Sequence, residues 1–228
     1  MVAQRIEQGP AEMAPVEEHA LSIREQRVLL NNISWELFRR IVAEDEARRV
    51  PRLAYNDGAL ELMTPSRRHE SITRTLQALV DRLADAWDLE LVDTGSATLQ
   101  DTLLQKGVEP DSAHFIQHAT EAFRDKSSPF PGRFPPDLIV EVEISHALVE
   151  RLPIFAAMEV PEIWHATTEG IAILTLQTGR YERASVSLAF PLLTEAKLAE
   201  FLALERVLTR REWSKAVKAW AADVAAQQ

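Results

Sequence analysis

The segment Pro136-Asp137-Leu138-Ile139-Val140-Glu141-Val142-Glu143-Ile144-Ser145 sets acidic and apolar residues in alternation. Side chains of a strand point to opposite faces in turn. Leu138, Val140, Val142 and Ile144 therefore form one apolar face, and Asp137, Ile139, Glu141, Glu143 and Ser145 share the other. Three carboxylates project from a strand whose far side is core. Another acidic position, Asp111, follows Pro110 and opens the apolar run Asp111-Ser112-Ala113-His114-Phe115-Ile116, and Glu61 stands beside Met63 in the returning arm of a hairpin. Carboxylates from neighbouring strands can converge on a hard cation. Magnesium takes oxygen ligands in near-octahedral geometry, usually a few carboxylates completed by water and substrate phosphate. The plainer alternative is a solvated outer face of a sheet.

Other chemistry is narrower. With no cysteine, disulfides, a thiolate nucleophile, iron–sulfur ligation and cysteine-containing zinc sites are excluded. His114 and His118 stand four apart, the spacing that puts two imidazoles on one face of a helix and invites zinc. Against this, Phe115-Ile116-Gln117 supplies no catalytic glutamate, and His114 falls in an extended segment. His146 and His165 read as polar surface residues. Ser66, Arg67, Arg68 and His69 can simply begin a helix, and Arg151 can face solvent, paired with Glu150 or Glu143.

These residues need elements to carry them. Residues 1–20 mix Pro, Glu and Ala without periodicity and read as a flexible tail. Ser34 caps an apolar-periodic stretch, with a helix expected to about Arg48. Asn56-Asp57-Gly58 lies between two alternating runs and reads as a hairpin turn. From about Ser66 the period becomes helical, with Ile72, Leu76, Leu79, Val80, Leu83 and Trp87 on one face. Apolar segments follow near 89–99, 112–117 and 137–144, and the proline-rich stretch 121–136 reads as a long loop. A helix is expected from Ala147 to Met158, then strands at Glu162–His165, Ile171–Leu176 and Tyr181–Val186. A last helix, Arg210 to about Ala225, carries Trp213, Val217, Trp220 and Val224 on one side, for core packing or a dimer contact. This order suggests an α/β or α+β sheet domain with helices on its faces.

The 228 residues, 46% hydrophobic and 26% charged, can bury a sizeable core. No run approaches the roughly 18 apolar residues a membrane span needs, and the first residues lack a secretory signal, so the expectation is a soluble, cytoplasmic protein with no membrane partner. The net charge of −10, from 25 basic and 35 acidic residues, works against binding a polyanion.

Taken in order, Glu61-Leu62-Met63-Thr64-Pro65 with His69, Glu109-Pro110-Asp111, Pro136-Asp137-Leu138-Ile139-Val140-Glu141-Val142, Ile154-Phe155-Ala156-Ala157 and Val160-Pro161-Glu162-Ile163-Trp164 resemble the Uma-two family of bacterial endonucleases, a branch of the PD-(D/E)XK restriction-endonuclease-like superfamily. The resemblance spans roughly residues 30 to 205. It implies an α/β fold, a mixed central sheet flanked by helices and preceded by a helix and a β-hairpin, with the tail and a separate C-terminal amphipathic helix (206–228) outside it. It further implies a metal-dependent DNA endonuclease, working with Mg²⁺ or Mn²⁺. Asp111 and Glu141, 30 positions later, would hold the ion, Glu61 would complete or orient the shell, and His69 would orient water or phosphate. Asp137 would be a decoy. The pattern's lysine, two residues after the glutamate, is replaced by Glu143, and Arg151 is the basic residue offered instead. Arginine can clamp phosphate but cannot act as a base. The alternative the departure implies is a weakened or inactive nuclease-like fold serving as a dimeric binding module. DNA contacts fall to Arg67, Arg68, Arg124, Lys126 and Arg133, and cleavage of both strands would call for a homodimer.

Overall fold

The computed structural model describes residues 25–45, 51–124 and 134–227. The 1–20 segment expected to be a tail, and Lys126 and Arg133 expected to contact DNA, lie outside these residues. Along the chain run β1 (Gln26–Leu30), α1 (Trp35–Asp45), β2 (Arg52–Asn56), β3 (Ala59–Thr64), α2 (Arg67–Ala86), β4 (Val92–Gly95), β5 (Leu99–Asp101), β6 (Lys106–Val108), β7 (Ser112–Phe115), α3 (Ala119–Arg124), β8 (Leu138–Glu143), α4 (Leu152–Ala157), β9 (Glu162–Thr167), β10 (Ile171–Gln177), β11 (Arg180–Ala184), α5 (Glu195–Leu204) and α6 (Arg210–Ala225).

The strands form two sheets. A mixed six-stranded sheet has the order β11-β10-β9-β8-β7-β4, and a five-stranded antiparallel sheet has the order β1-β3-β2-β6-β5. In the mixed sheet β8 and β9 are parallel, and the remaining pairs are antiparallel. A parallel pair requires a crossover, and residues 144–161, with α4 inside them, supply it.

β8 is the central strand, buried on both faces. Leu138, Val140 and Val142 pack with Leu76, Leu79, Val80 and Leu83 of α2, the expected helical face, and with Trp164, Phe190, Trp213 and Val217. Ile139 packs on the opposite side with Ala113, Ile163, Ile154 and Phe155. Ser66 caps α2 by accepting the His69 N–H, which satisfies one of the free donors at a helix start. The hairpin turn forms at Asp57 (φ 48°) and Gly58 (φ 82°), the positive φ angles that Asp and Gly tolerate. α6 buries Trp213, Val217 and Ala221 against α2 and α5, with Trp87 Nε1–H bonding the Ala221 carbonyl at 3.0 Å.

Four expectations need correction. The 89–99 segment divides, because Gly95 (φ 57°) and a bulge after Asp93 end β4, and the chain then enters the other sheet as β5. Part of the 121–136 loop is helical, as α3. β1 and the β5–β6 hairpin are strands the sequence reading lacked. The helix expected from Ala147 begins only at Leu152, since the N–H groups of Ala147, Leu148 and Val149 go to the Glu143 and Glu61 carboxylates and not into a helix ladder.

Phe38 of α1 is fully buried and stacks on Tyr55. A Cβ on Gly107 of β6 would lie 2.3 Å from its ring. Gly107→Ala should therefore destabilise the protein by about 1–3 kcal/mol through overpacking, read as a lower urea midpoint. An unchanged midpoint would mean that α1 shifts freely on its sheet.

Candidate functional site

The β7–β8 register pairs Ser112 with Val140. Continued one step, it sets Asp111 opposite Glu141, so the 30-residue separation closes into a cross-strand pair. Asp111 is held tightly. Its Oδ2 accepts the Val142 N–H at 2.8 Å and its Oδ1 lies 2.7 Å from His69 Nε2, with Arg52 Nε 3.7 Å away.

His69, fully buried in the first turn of α2, lies between two carboxylates. Its Nδ1 is 2.6 Å from Glu25 Oε1. Carboxylates here only accept hydrogen bonds, so both ring nitrogens carry protons. Burial opposes the charge, but the bonds to Asp111 and Glu25 outweigh it and raise the His69 pKa to about 9. Burial likewise works against the charged form of Glu25, yet His69 and Ser145 bring its pKa down to about 2. Asp111 is lowered too, against its burial, by the His69 bond and charge.

Glu141 is only 4% exposed, which removes the solvated-face alternative for this carboxylate. Its Oε1 accepts Arg151 Nη1–H at 2.7 Å. Its Oε2 is buried with no hydrogen-bond partner, as are Nε and Nη2 of Arg151. Burial pushes the Glu141 pKa up to about 7, opposed by Arg151 and reinforced by Asp111. Arg151, 5% exposed, is not the solvent-facing residue of the plainer reading. Its guanidinium also lies 3.7 Å from Glu61, and Glu141, Asp111 and Glu61 together raise its pKa against desolvation. A cleft of about 180 Å³ opens beside this group, lined among others by Arg27, Glu141, Glu143, His146, Arg151 and His165.

Glu61 is fully buried and its oxygens are engaged. Oε1 meets Arg27, and Oε2 accepts the N–H groups of Leu148 and Val149. Among the described residues no group of three or more His, Asp or Glu side chains is disposed to hold a metal. The donors with capacity for a divalent ion are the free Glu141 oxygen and the Asp111 carboxylate, whose oxygens each accept one bond. That set fits one ion completed by water and phosphate.

The other sequence candidates fall elsewhere. Asp137 stands in a separate contact, accepting the N–H groups of Ile116 and His118 and facing His118 Nδ1 at 2.5 Å. His114 is buried with neither ring nitrogen hydrogen-bonded, its Nδ1 3.8 Å from Asp93, and its pKa is lowered by burial to about 4, so the two histidines of the zinc reading serve different surroundings. Arg67 and Arg68 are exposed beside His69, and Arg124 is exposed at the end of α3. Glu25, Arg27 and Arg52 were missed. Glu25 lies just before β1, Arg27 in β1 and Arg52 in β2, and no local pattern marks them.

A model of the family described as "Putative restriction endonuclease" (Uma2) matches residues 35–210. Among solved structures, one described as a putative nuclease belonging to DUF820, from Anabaena variabilis, aligns with a TM-score of 0.53 and 14% identity, covering 75% of this chain and 99% of that one. At that identity the likeness is one of fold. No curated protein matches, and no helix among the described residues is long and apolar enough to cross a membrane.

The protonation pattern predicts a pH response. His69 has a folded-state pKa above its ordinary 6.5, so its stabilising contribution is complete below pH 6.5 and is lost as pH rises through about 9. His69→Gln should flatten the fall in unfolding free energy over that window, measured by urea denaturation. An undiminished fall would place the titrating group elsewhere.

Proposed function

The chain belongs to the Uma2 family, and from that premise we propose that it is a Mg²⁺- or Mn²⁺-dependent DNA endonuclease, hydrolysing phosphodiester bonds at Asp111 and Glu141. The observation that carries this reading is the buried, unpartnered Oε2 of Glu141 beside Asp111 and the free edge of Arg151. A buried acceptor left bare costs free energy, and Glu141 Oε2 with the Asp111 carboxylate would be the groups to hold a hydrated cation. When bound, such an ion supplies Lewis acidity toward a phosphodiester oxygen and an activated attacking water.

The chain's own groups do the remainder. Arg151 holds Glu141 through Nη1, while Nε, and Nη2 on the side of Glu61, make no hydrogen bond and would take phosphate oxygens as charge builds in the transition state. His69 fixes Asp111 through Nε2–H. Glu61 shapes the wall by holding Leu148 and Val149, which supports an orienting part for it over direct ligation. Glu143, at the usual lysine position, accepts the Ala147 N–H and brings no amine to the chemistry. Arg67, Arg68 and Arg124, with Lys126 and Arg133, would give DNA a local positive rim, since screening makes nearby charges outweigh the total. Cutting both strands with one site per chain would pair two copies about a two-fold axis.

The ion pair of Arg151 with Glu141 favours one further reading: a nuclease-like fold that binds without cutting, the guanidinium standing where the cation would be.

Nicking of plasmid DNA with Mg²⁺ or Mn²⁺ separates the two. Cleavage is expected in the wild type, reduced at least about 100-fold in Asp111→Asn and Glu141→Gln and retained in Asp137→Asn. No cleavage with either metal would leave the binding reading. Because an ion requires ionised Glu141 and its pKa is about 7, activity should climb from pH 6 to pH 8 and level off, to about these limits. A flat profile would remove Glu141 from the ion's shell.

A further inference from the structure

The family match begins at residue 35, yet two of the groups packed into the site precede it. Glu25 has a side chain 1% exposed and Arg27 one 8% exposed. Glu25 reaches two parts of the site at once. Oε1 lies 2.6 Å from His69 Nδ1, and Oε2 accepts the Ser145 N–H at 3.1 Å and its hydroxyl. Arg27 ties this carboxylate to the rest, donating to Glu25 at 3.1 Å, to Ser145 Oγ at 3.0 Å and to Glu61. A continuous chain of hydrogen bonds therefore runs from Glu25 through the His69 ring to Asp111 Oδ1.

We propose that Glu25 is a positioning residue of the Asp111–Glu141 site: through His69 it fixes the direction in which Asp111 presents its carboxylate. An imidazole has two in-line nitrogens, and a partner on one sets the orientation and donor character of the other. Without Glu25, Nδ1 would sit buried and unpaired or the ring would turn, and in either case the 2.7 Å bond to Asp111 is disturbed. Asp111 would then keep only the Val142 N–H bond, at its other oxygen, and the longer ion pair with Arg52 at 3.7 Å. This assignment rests on the reading of Asp111 and Glu141 as the ion-binding pair. It makes β1 part of the functional unit, although β1 lies outside the matched segment.

The test uses the full chain with Glu25→Gln and Glu25→Asp. Mn²⁺ affinity, followed by the electron paramagnetic resonance of the free ion, should fall about tenfold in Glu25→Gln, the lower end of losses seen when groups supporting metal ligands are removed. Glu25→Asp should recover part of it. A metal-free readout runs beside this: the His69 Nε2–H proton resonance should move in Glu25→Gln and move less in Glu25→Asp. Unchanged Mn²⁺ affinity in a folded Glu25→Gln protein would overturn the proposal, and so would an unmoved Nε2–H resonance, since Glu25 would then touch only the near side of the ring. Should Glu25→Gln fail to fold, the resonance in Glu25→Asp decides in the same way. If the wild type takes up no Mn²⁺, the endonuclease reading falls, while the resonance still decides whether Glu25 acts on the Asp111 contact.

Discussion

The structure around the cleft depends on one constraint: ionised groups withdrawn from water must find counter-charges or hydrogen bonds. Glu25, Glu61, Asp111 and Glu141 are packed with Arg27, Arg52, His69 and Arg151, four acids against four bases. No member of this set is satisfied by a sequence neighbour alone. They are drawn from the start of β1, from β2, β3, α2 and β8 and from the residues just before β7 and α4, so the two sheets and α2 must meet correctly before the charges balance. Removing one partner leaves another charge buried and bare, which is the costly outcome for such networks.

The same physics builds the loops. Glu61 accepts the N–H groups of Leu148 and Val149, Glu25 and Glu143 take those of Ser145 and Ala147, and Glu162 accepts those of Leu188 and Ala189. In each case a carboxylate replaces the helix or sheet ladder as the acceptor for adjacent backbone donors. The irregular path between β8 and α4 is therefore specified, and it is the wall on which His146 and Ala147 face the cleft.

How much of this could be read from the chain follows the range of the interactions. α2, the Asn56-Asp57-Gly58 hairpin and α6 were legible because periodicity, caps and turn residues are local signals. The alternation in β8 correctly divided its faces, but alternation cannot say whether the polar face meets water or a buried charge. That depends on Arg151, which comes from beyond the strand. β5 and β6 have three residues each, too few for a period to show. The helix expected from Ala147 had suitable side chains and lost its first turn to distant carboxylates. The family pattern led to Asp111, Glu141 and His69, while Glu25 and Arg27 lay outside any pattern and needed the folded chain.

β1 is the outermost strand of its sheet, held by β3 on one side, with Val28, Leu29 and Leu30 partly open to solvent. An outer strand can fray while the remainder of a domain stays native, at a free energy no greater than that of complete unfolding. Since Glu25 and Arg27 ride at its start, each such excursion unlatches His69, Ser145 and Glu61 together. The charged cluster is thus tied at one end to a single short ribbon, and detaching that ribbon would undo its pairing without any change in the tryptophan-lined interior.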